Sequence, residues 1–94
     1  MTVKIFIKRK VLHDNIIDLT MKLKQLRILT LNQPGYISGE TLKRIDIPDE
    51  CIVISTWRSI DDWNQWFKHE QRVKIQGEID TLLGVKTKYS VYEV

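Results

Sequence analysis

Over residues 3–8 apolar side chains alternate with charged ones, Val3, Ile5 and Ile7 being set against Lys4 and Lys8. A period of two puts successive side chains on opposite faces of an extended chain, so the pattern predicts a first strand running to about Val11. The period then lengthens. Ile16, Leu19, Leu23 and Leu26 recur at helical spacing, widened by Ile17, Met21 and Ile28, while Lys22, Lys24, Gln25 and Arg27 form a polar side. Asp14, within His13-Asp14-Asn15, is the expected N-cap. Asn32-Gln33-Pro34-Gly35 stops the helix after Leu31, since proline cannot extend it and glycine takes the turn.

A second strand is predicted over residues 36–47, with Gly39 as a bulge or close-packing point. Pro48-Asp49-Glu50 turns the chain into residues 51–57, the strongest strand signal present. Ser59 and Asp62 have the spacing of a capping box and open a short helix with Trp63, Trp66 and Phe67 on one side. A further helical run holds Val73, Ile75, Ile79, Leu82 and Leu83, and Gly84 caps it. Residues 85–94 read as a last strand with Tyr89 and Tyr92 on opposite faces. The order predicts an α+β domain of ferredoxin-like βαββαβ type over residues 1–94, an antiparallel sheet with helices on one face.

The third strand is apolar on both sides. Cys51, Val53, Ser55 and Trp57 face one way, and Ile52, Ile54, Thr56 and Arg58 the other. Helices cover one face of such a sheet, so the second face needs a cover of its own. Phe6, on the lysine-bearing face of the first strand, points the same way. A second copy of the sheet is the simplest cover, and a homodimer through the sheet face is the expected partner.

Composition narrows the choices. With 94 residues and 43% hydrophobic content the core is thin and gains from a partner surface. The net charge of +3 is dispersed among acidic residues, and no aromatic precedes Trp57 in the third strand. An RNA-binding sheet needs stacking aromatics there, so no nucleic-acid partner is expected. Cys51 is the single cysteine, which excludes an internal disulfide, and it reads as a strand residue. No stretch has the apolar length of a signal-peptide core or a membrane span, so no membrane partner and a cytoplasmic location are expected. His13 and His69 lack neighbouring ligand residues, so no metal site is expected, and neither a phosphate loop nor a nucleophile elbow is present.

The chemistry that remains is aromatic. Trp57, Trp63, Trp66 and Phe67 lie close together in sequence. They fit two roles: filling the space between sheet and helices, or walling a pocket for a flat organic molecule. Asn64, His69 and Arg72 stand near enough in sequence to give such a pocket its polar contacts. His69 also fits a solvated helix-end position.

Three runs carry a resemblance: Asn32-Gln33-Pro34-Gly35-Tyr36, Ile54-Ser55-Thr56-Trp57-Arg58-Ser59 and Asp62-Trp63-Asn64-Gln65-Trp66-Phe67. A Pro-Gly-aromatic turn, an apolar strand ending in Trp-x-Ser and a helix ending in an aromatic pair make the chain resemble the antibiotic biosynthesis monooxygenase-like family. The resemblance implies a dimeric α+β barrel. It embraces cofactor-independent oxygenases of polycyclic phenols and quinols, haem-degrading enzymes, and small proteins without an assigned activity. Haem-degrading members resemble one another in a first-strand asparagine, a helix tryptophan and a histidine on the next helix. Trp66 matches the tryptophan, but Lys8 and Gln76 stand at the other two places. Glutamine does not replace an axial histidine, so haem degradation is disfavoured. The oxygenase branch implies no cofactor: Trp66 and Tyr36 would wall a substrate site, with Trp63 and Asn64 beside them, and Arg72 or His69 would stabilise an anion or take a proton. Two functions stay open, a monooxygenase acting on an aromatic phenol or quinol and a non-catalytic dimeric binding or stress-related module. A cavity with a polar end separates them from a merely filled core.

Overall fold

The computed structural model describes residues 1–11 and 16–94. Its elements are β1 (Val3–Lys10), α1 (Ile16–Leu31), β2 (Tyr36–Lys43), β3 (Glu50–Trp57), α2 (Ile60–Phe67), α3 (Glu70–Leu83) and β4 (Lys88–Glu93). The strands form one four-stranded sheet in the order β2-β3-β1-β4, with every pairing antiparallel. Both crossovers lay their helices on the same face, and the result is the ferredoxin-like arrangement. The expected N-cap Asp14 lies outside the described residues.

The alternation in β1 and β3 decides which face is buried. Val3, Ile5 and Ile7 point inward and meet Trp57 of β3, Leu19 and Leu26 of α1, Trp63 and Trp66 of α2, and Ile79 and Leu83 of α3. Ser59 caps α2: its Oγ accepts the Asp62 amide at 3.2 Å and its hydroxyl donates to Asp62 Oδ2 at 2.9 Å. Gly84 ends α3 in the left-handed conformation, φ 71°, with its amide on the Asp80 carbonyl.

Three details depart from the sequence pattern, and at Gly39 one of two expected roles holds. β2 ends at Lys43 rather than at Ile47, because Arg44 pairs with Asp46 and Glu50 and folds the chain into a turn that leaves Ile45 in solvent. β4 begins at Lys88 rather than at Val85, because Asp80 accepts the Thr87 amide and hydroxyl and holds the approach to the strand. Val73 is exposed, and α3 turns Arg72, Gln76, Ile79 and Leu83 inward instead. The register shift in β2 falls between Tyr36 and Ser38, so Gly39 is not the bulge. Gly39 is a close-packing point: a Cβ there would stand 2.6 Å from the Tyr36 hydroxyl.

The outer face of the sheet carries Phe6 and Tyr92 in edge contact, centroids 5.0 Å apart, with Ile52, Ile54 and Leu42 beside them. No helix is long and apolar enough to cross a membrane among the described residues.

Gly35 links α1 to the sheet. Its φ is +82°, its carbonyl accepts the Arg58 amide at 2.7 Å, and a Cβ there would overlap the Asp62 carboxylate. Gly35→Ala should therefore lose about 1–2 kcal/mol from left-handed backbone strain alone. The urea midpoint measures it, and an unchanged midpoint would contradict the turn geometry.

Candidate functional site

A cavity of about 900 Å³ lies between α1 and the inner face of the β2–β3–β1 sheet, with α2 and α3 closing one end. That volume falls within the range of small-molecule sites. Leu23, Leu26 and Thr30 of α1 form its roof, and Ile7, Val53 and Ser55 belong to its floor. Lys24, Arg27 and Ile28, which are solvent-exposed, also border it and mark its mouth.

The aromatic residues divide between packing and lining. Trp57 is wholly buried; its indole N–H donates to Ser55 Oγ at 2.7 Å, and it does not line the cavity. It stands between Tyr36 and Trp63, with ring centroids 5.4 and 5.7 Å away. Tyr36, Trp63 and Trp66 pack against the core and also line the cavity, as does Tyr89. Phe67 does not line it; its ring lies 4.4 Å under the Arg72 guanidinium.

Polar groups gather where α3 meets the sheet. Arg72 is buried, and its Nε donates to the Phe67 carbonyl at 2.8 Å and its Nη1 to the Tyr89 hydroxyl at 2.9 Å. Arg9, on β1, is buried as well and donates through Nη2 to Gln76 Oε1 at 3.1 Å. The Gln76 amide in turn donates to Asp80 Oδ1 at 2.9 Å and to Thr87 Oγ1 at 2.7 Å. Arg9, Arg72 and Gln76 all line the cavity. Among the described residues neither arginine forms an ion pair with a carboxylate. Burial pushes Arg9 below the ordinary arginine pKa, with Tyr89, Cys51 and Asp80 opposing and Arg72 reinforcing that shift. A guanidinium nevertheless keeps its proton in proteins.

Of the residues singled out from sequence, Trp66, Trp63, Tyr36 and Arg72 are brought together on this cavity. His69 and Asn64 do not line it. His69 Nδ1 accepts the Gln71 amide at 3.2 Å as the N-cap of α3, with its ring 5.3 Å from that of Trp66. Asn64 is exposed on α2. Lys8 lies on the outer face, ion-paired with Glu50 at 2.9 Å, and the cavity-facing β1 residue beside it is Arg9. Sequence reasoning missed Arg9 as a site residue, although it continues the inward alternation of Val3, Ile5 and Ile7. No histidine lines the cavity among the described residues, and Gln76 is held by neighbouring side chains, so this donor set does not fit a haem iron.

Fold and cavity together define a ferredoxin-like α+β protein with an aromatic-walled chamber under its first helix. The sequence profile of the antibiotic biosynthesis monooxygenase family matches residues 2–78, and the chain belongs to that family. Solved structures share the fold. A conserved protein from Methanosarcina mazei Go1 is similar at TM-score 0.88 and 16% identity, over 99% of this chain and 92% of its own. Rv0793 from Mycobacterium tuberculosis gives 0.86 at 15% identity, over 100% and 95%. SnoaB, a cofactor-independent oxygenase from Streptomyces nogalater, gives 0.83 at 13% identity, over 99% and 92%. Among curated proteins none matches the sequence.

Cys51 is half-buried on the cavity wall, and burial pushes its thiol pKa up, with Arg9 acting in the opposite direction. A raised pKa means less thiolate at a given pH. Native Cys51 should therefore react with iodoacetamide at pH 8 more slowly than free cysteine, and unfolding in urea should abolish the difference. Faster native labelling would show an activated thiol.

Proposed function

We propose that the cavity binds a planar phenol or quinol and promotes its oxidation by dioxygen without a cofactor. The observation that carries the reading is a cavity of about 900 Å³, open at its mouth, with tryptophan and tyrosine walls and a buried guanidinium at its inner end. The family and the printed activity of SnoaB, a cofactor-independent oxygenase, support it.

Trp66 and Tyr36 would take the faces of the ring, with Trp63 behind them. Arg72 would favour the deprotonated oxygen, with the Tyr89 hydroxyl beside it. An electron-rich phenolate passes an electron to dioxygen, and the radical pair recombines at ring carbon. Loss of water then leaves a quinone. One oxygen atom enters the product as a carbonyl and the other departs as water, and the substrate supplies all four electrons. The chain has to bind the ring, hold the anion and exclude bulk water from the radical pair. His69 and Asn64, placed away from the cavity, have no part in this scheme.

The same reading includes a homodimer through the outer sheet face. Phe6, Ile52, Ile54, Leu42 and Tyr92 form an apolar surface there that the helices do not cover, with Tyr92 58% exposed. Light scattering should give twice the chain mass. Ile54→Asp should yield monomer, because burying an unpaired charge costs roughly 2 kcal/mol or more; a dimer that survives this change uses another surface.

The activity has its own test. 1-Naphthol should quench tryptophan fluorescence saturably, and Trp66→Phe should weaken its binding by about threefold or more while the far-ultraviolet spectrum is kept. Oxygen uptake with an anthrone or naphthol substrate, one O₂ per quinone formed, would establish catalysis. Saturable binding without oxygen uptake would instead mark a non-catalytic binding module.

A further inference from the structure

Among the described residues no carboxylate pairs with either buried arginine of the cavity: Glu40, the one acidic residue described on its lining, is exposed and bonds to neither. Arg9 is only 6% exposed, yet among the described residues its one side-chain hydrogen bond goes to the neutral amide of Gln76. Its Nε is buried and has no acceptor among the described residues. Arg72, in the same wall, donates to a carbonyl and a phenol, both neutral acceptors. Asp80, the carboxylate of this network, accepts the Gln76 amide and the Thr87 amide and hydroxyl all on Oδ1; its charge acts on Arg9 from a distance, and its hydrogen-bonded link to Arg9 runs through Gln76. An isolated charge removed from water is costly and buried charges are ordinarily paired, so an incoming group of opposite charge would complete this one.

We infer that the ligand is an aromatic acid: a planar ring bearing a carboxylate, which Arg9, steadied by Gln76, pairs with while the ring lies against Trp66. The inference rests on the reading of the cavity as an aromatic binding site and adds the charge of its occupant. A carboxylate suits this position because a guanidinium offers its N–H groups as a planar fork, and an anion between Arg9 and Arg72 relieves their mutual repulsion. Gln76 is a positioning residue here. It fixes one N–H of Arg9 without cancelling the charge, which a carboxylate in its place would do.

The competing source of charge selectivity is the mouth, where Lys24 and Arg27 stand exposed. Solvent screens those two, whereas Arg9 is shielded from it, so the selectivity should belong to Arg9 and persist in salt.

The test compares two probes of the same size, 1-hydroxy-2-naphthoate and its neutral primary amide, by fluorescence titration at pH 7.5 in 0.15 M and 0.5 M salt. The wild-type chain should bind the acid about tenfold tighter than the amide at both salt concentrations. Arg9→Met, which removes the charge and keeps an apolar stem, should bind the two equally and hold the amide as well as wild type does. Should Arg9→Met not fold, Arg9→Lys takes its place and should lose at least threefold of the preference, a point charge lacking the fork. Equal binding of both probes by the wild-type chain overturns the inference and leaves the aromatic site standing. So does a preference that survives Arg9→Met but disappears in the Lys24→Gln/Arg27→Gln double variant or in 0.5 M salt. Binding of neither probe removes the aromatic site itself.

Discussion

The contact of Trp57 with Trp63, 5.7 Å between centroids, fixes the distance at which the helices stand off the sheet. Trp57 closes β3 and Trp63 stands in the first turn of α2, so one pair of indoles spans the step from strand to helix. Ser55 accepts the indole N–H of Trp57 and leaves no reason for that ring to seek water. On one side the stack continues through Tyr36, and on the other through Phe67 and Tyr89. A row of large rings at one end of the sheet acts as a spacer. Where the row stops, the chamber lies between the sheet and α1, roofed by Leu23, Leu26 and Thr30.

The same spacer explains why aromatic residues both pack and line. Trp63 and Trp66 lie within one helical turn of each other and are almost fully buried, yet both border the cavity. A tryptophan in a thin two-layer domain touches the core with one edge and the empty volume with another. Filling the core and walling a pocket are therefore not alternatives here, and the same side chains perform both.

Much of this architecture was legible in sequence because its causes are local. The period-two run of β1, the Ser59 cap with Asp62 and the glycine stop at Gly84 are each written in a few adjacent residues. Element ends were less legible. The end of β2 depends on Arg44 meeting Glu50 across a turn, and the start of β4 depends on Asp80 reaching Thr87 from the preceding helix. Such partners are distant in sequence or leave no periodic trace. The site was half legible. Trp66, Trp63 and Tyr36 announce themselves by size and by a turn motif, whereas Arg9 looks like one more cation in the run Lys8-Arg9-Lys10. Only the inward phase of β1 distinguishes it from its neighbours, and an arginine at a core phase is easily taken for the frayed end of a strand.

Position 76 shows how one side chain sets the character of such a chamber. A histidine there would offer a nitrogen to a metal or a proton. A carboxylate would neutralise Arg9 and make the inner end electrically silent. Glutamine does neither. Its oxygen faces Arg9 and its nitrogen faces Asp80 and Thr87, an orientation forced by the Thr87 hydroxyl being committed as donor to Asp80. The amide thus transmits position but not charge. Arg9 is held in place while its positive charge is left to the cavity. A buried network that leaves charge unbalanced needs a well-packed core beside it, and Trp57, Ile5, Leu19 and Ile79, all fully buried, supply that packing.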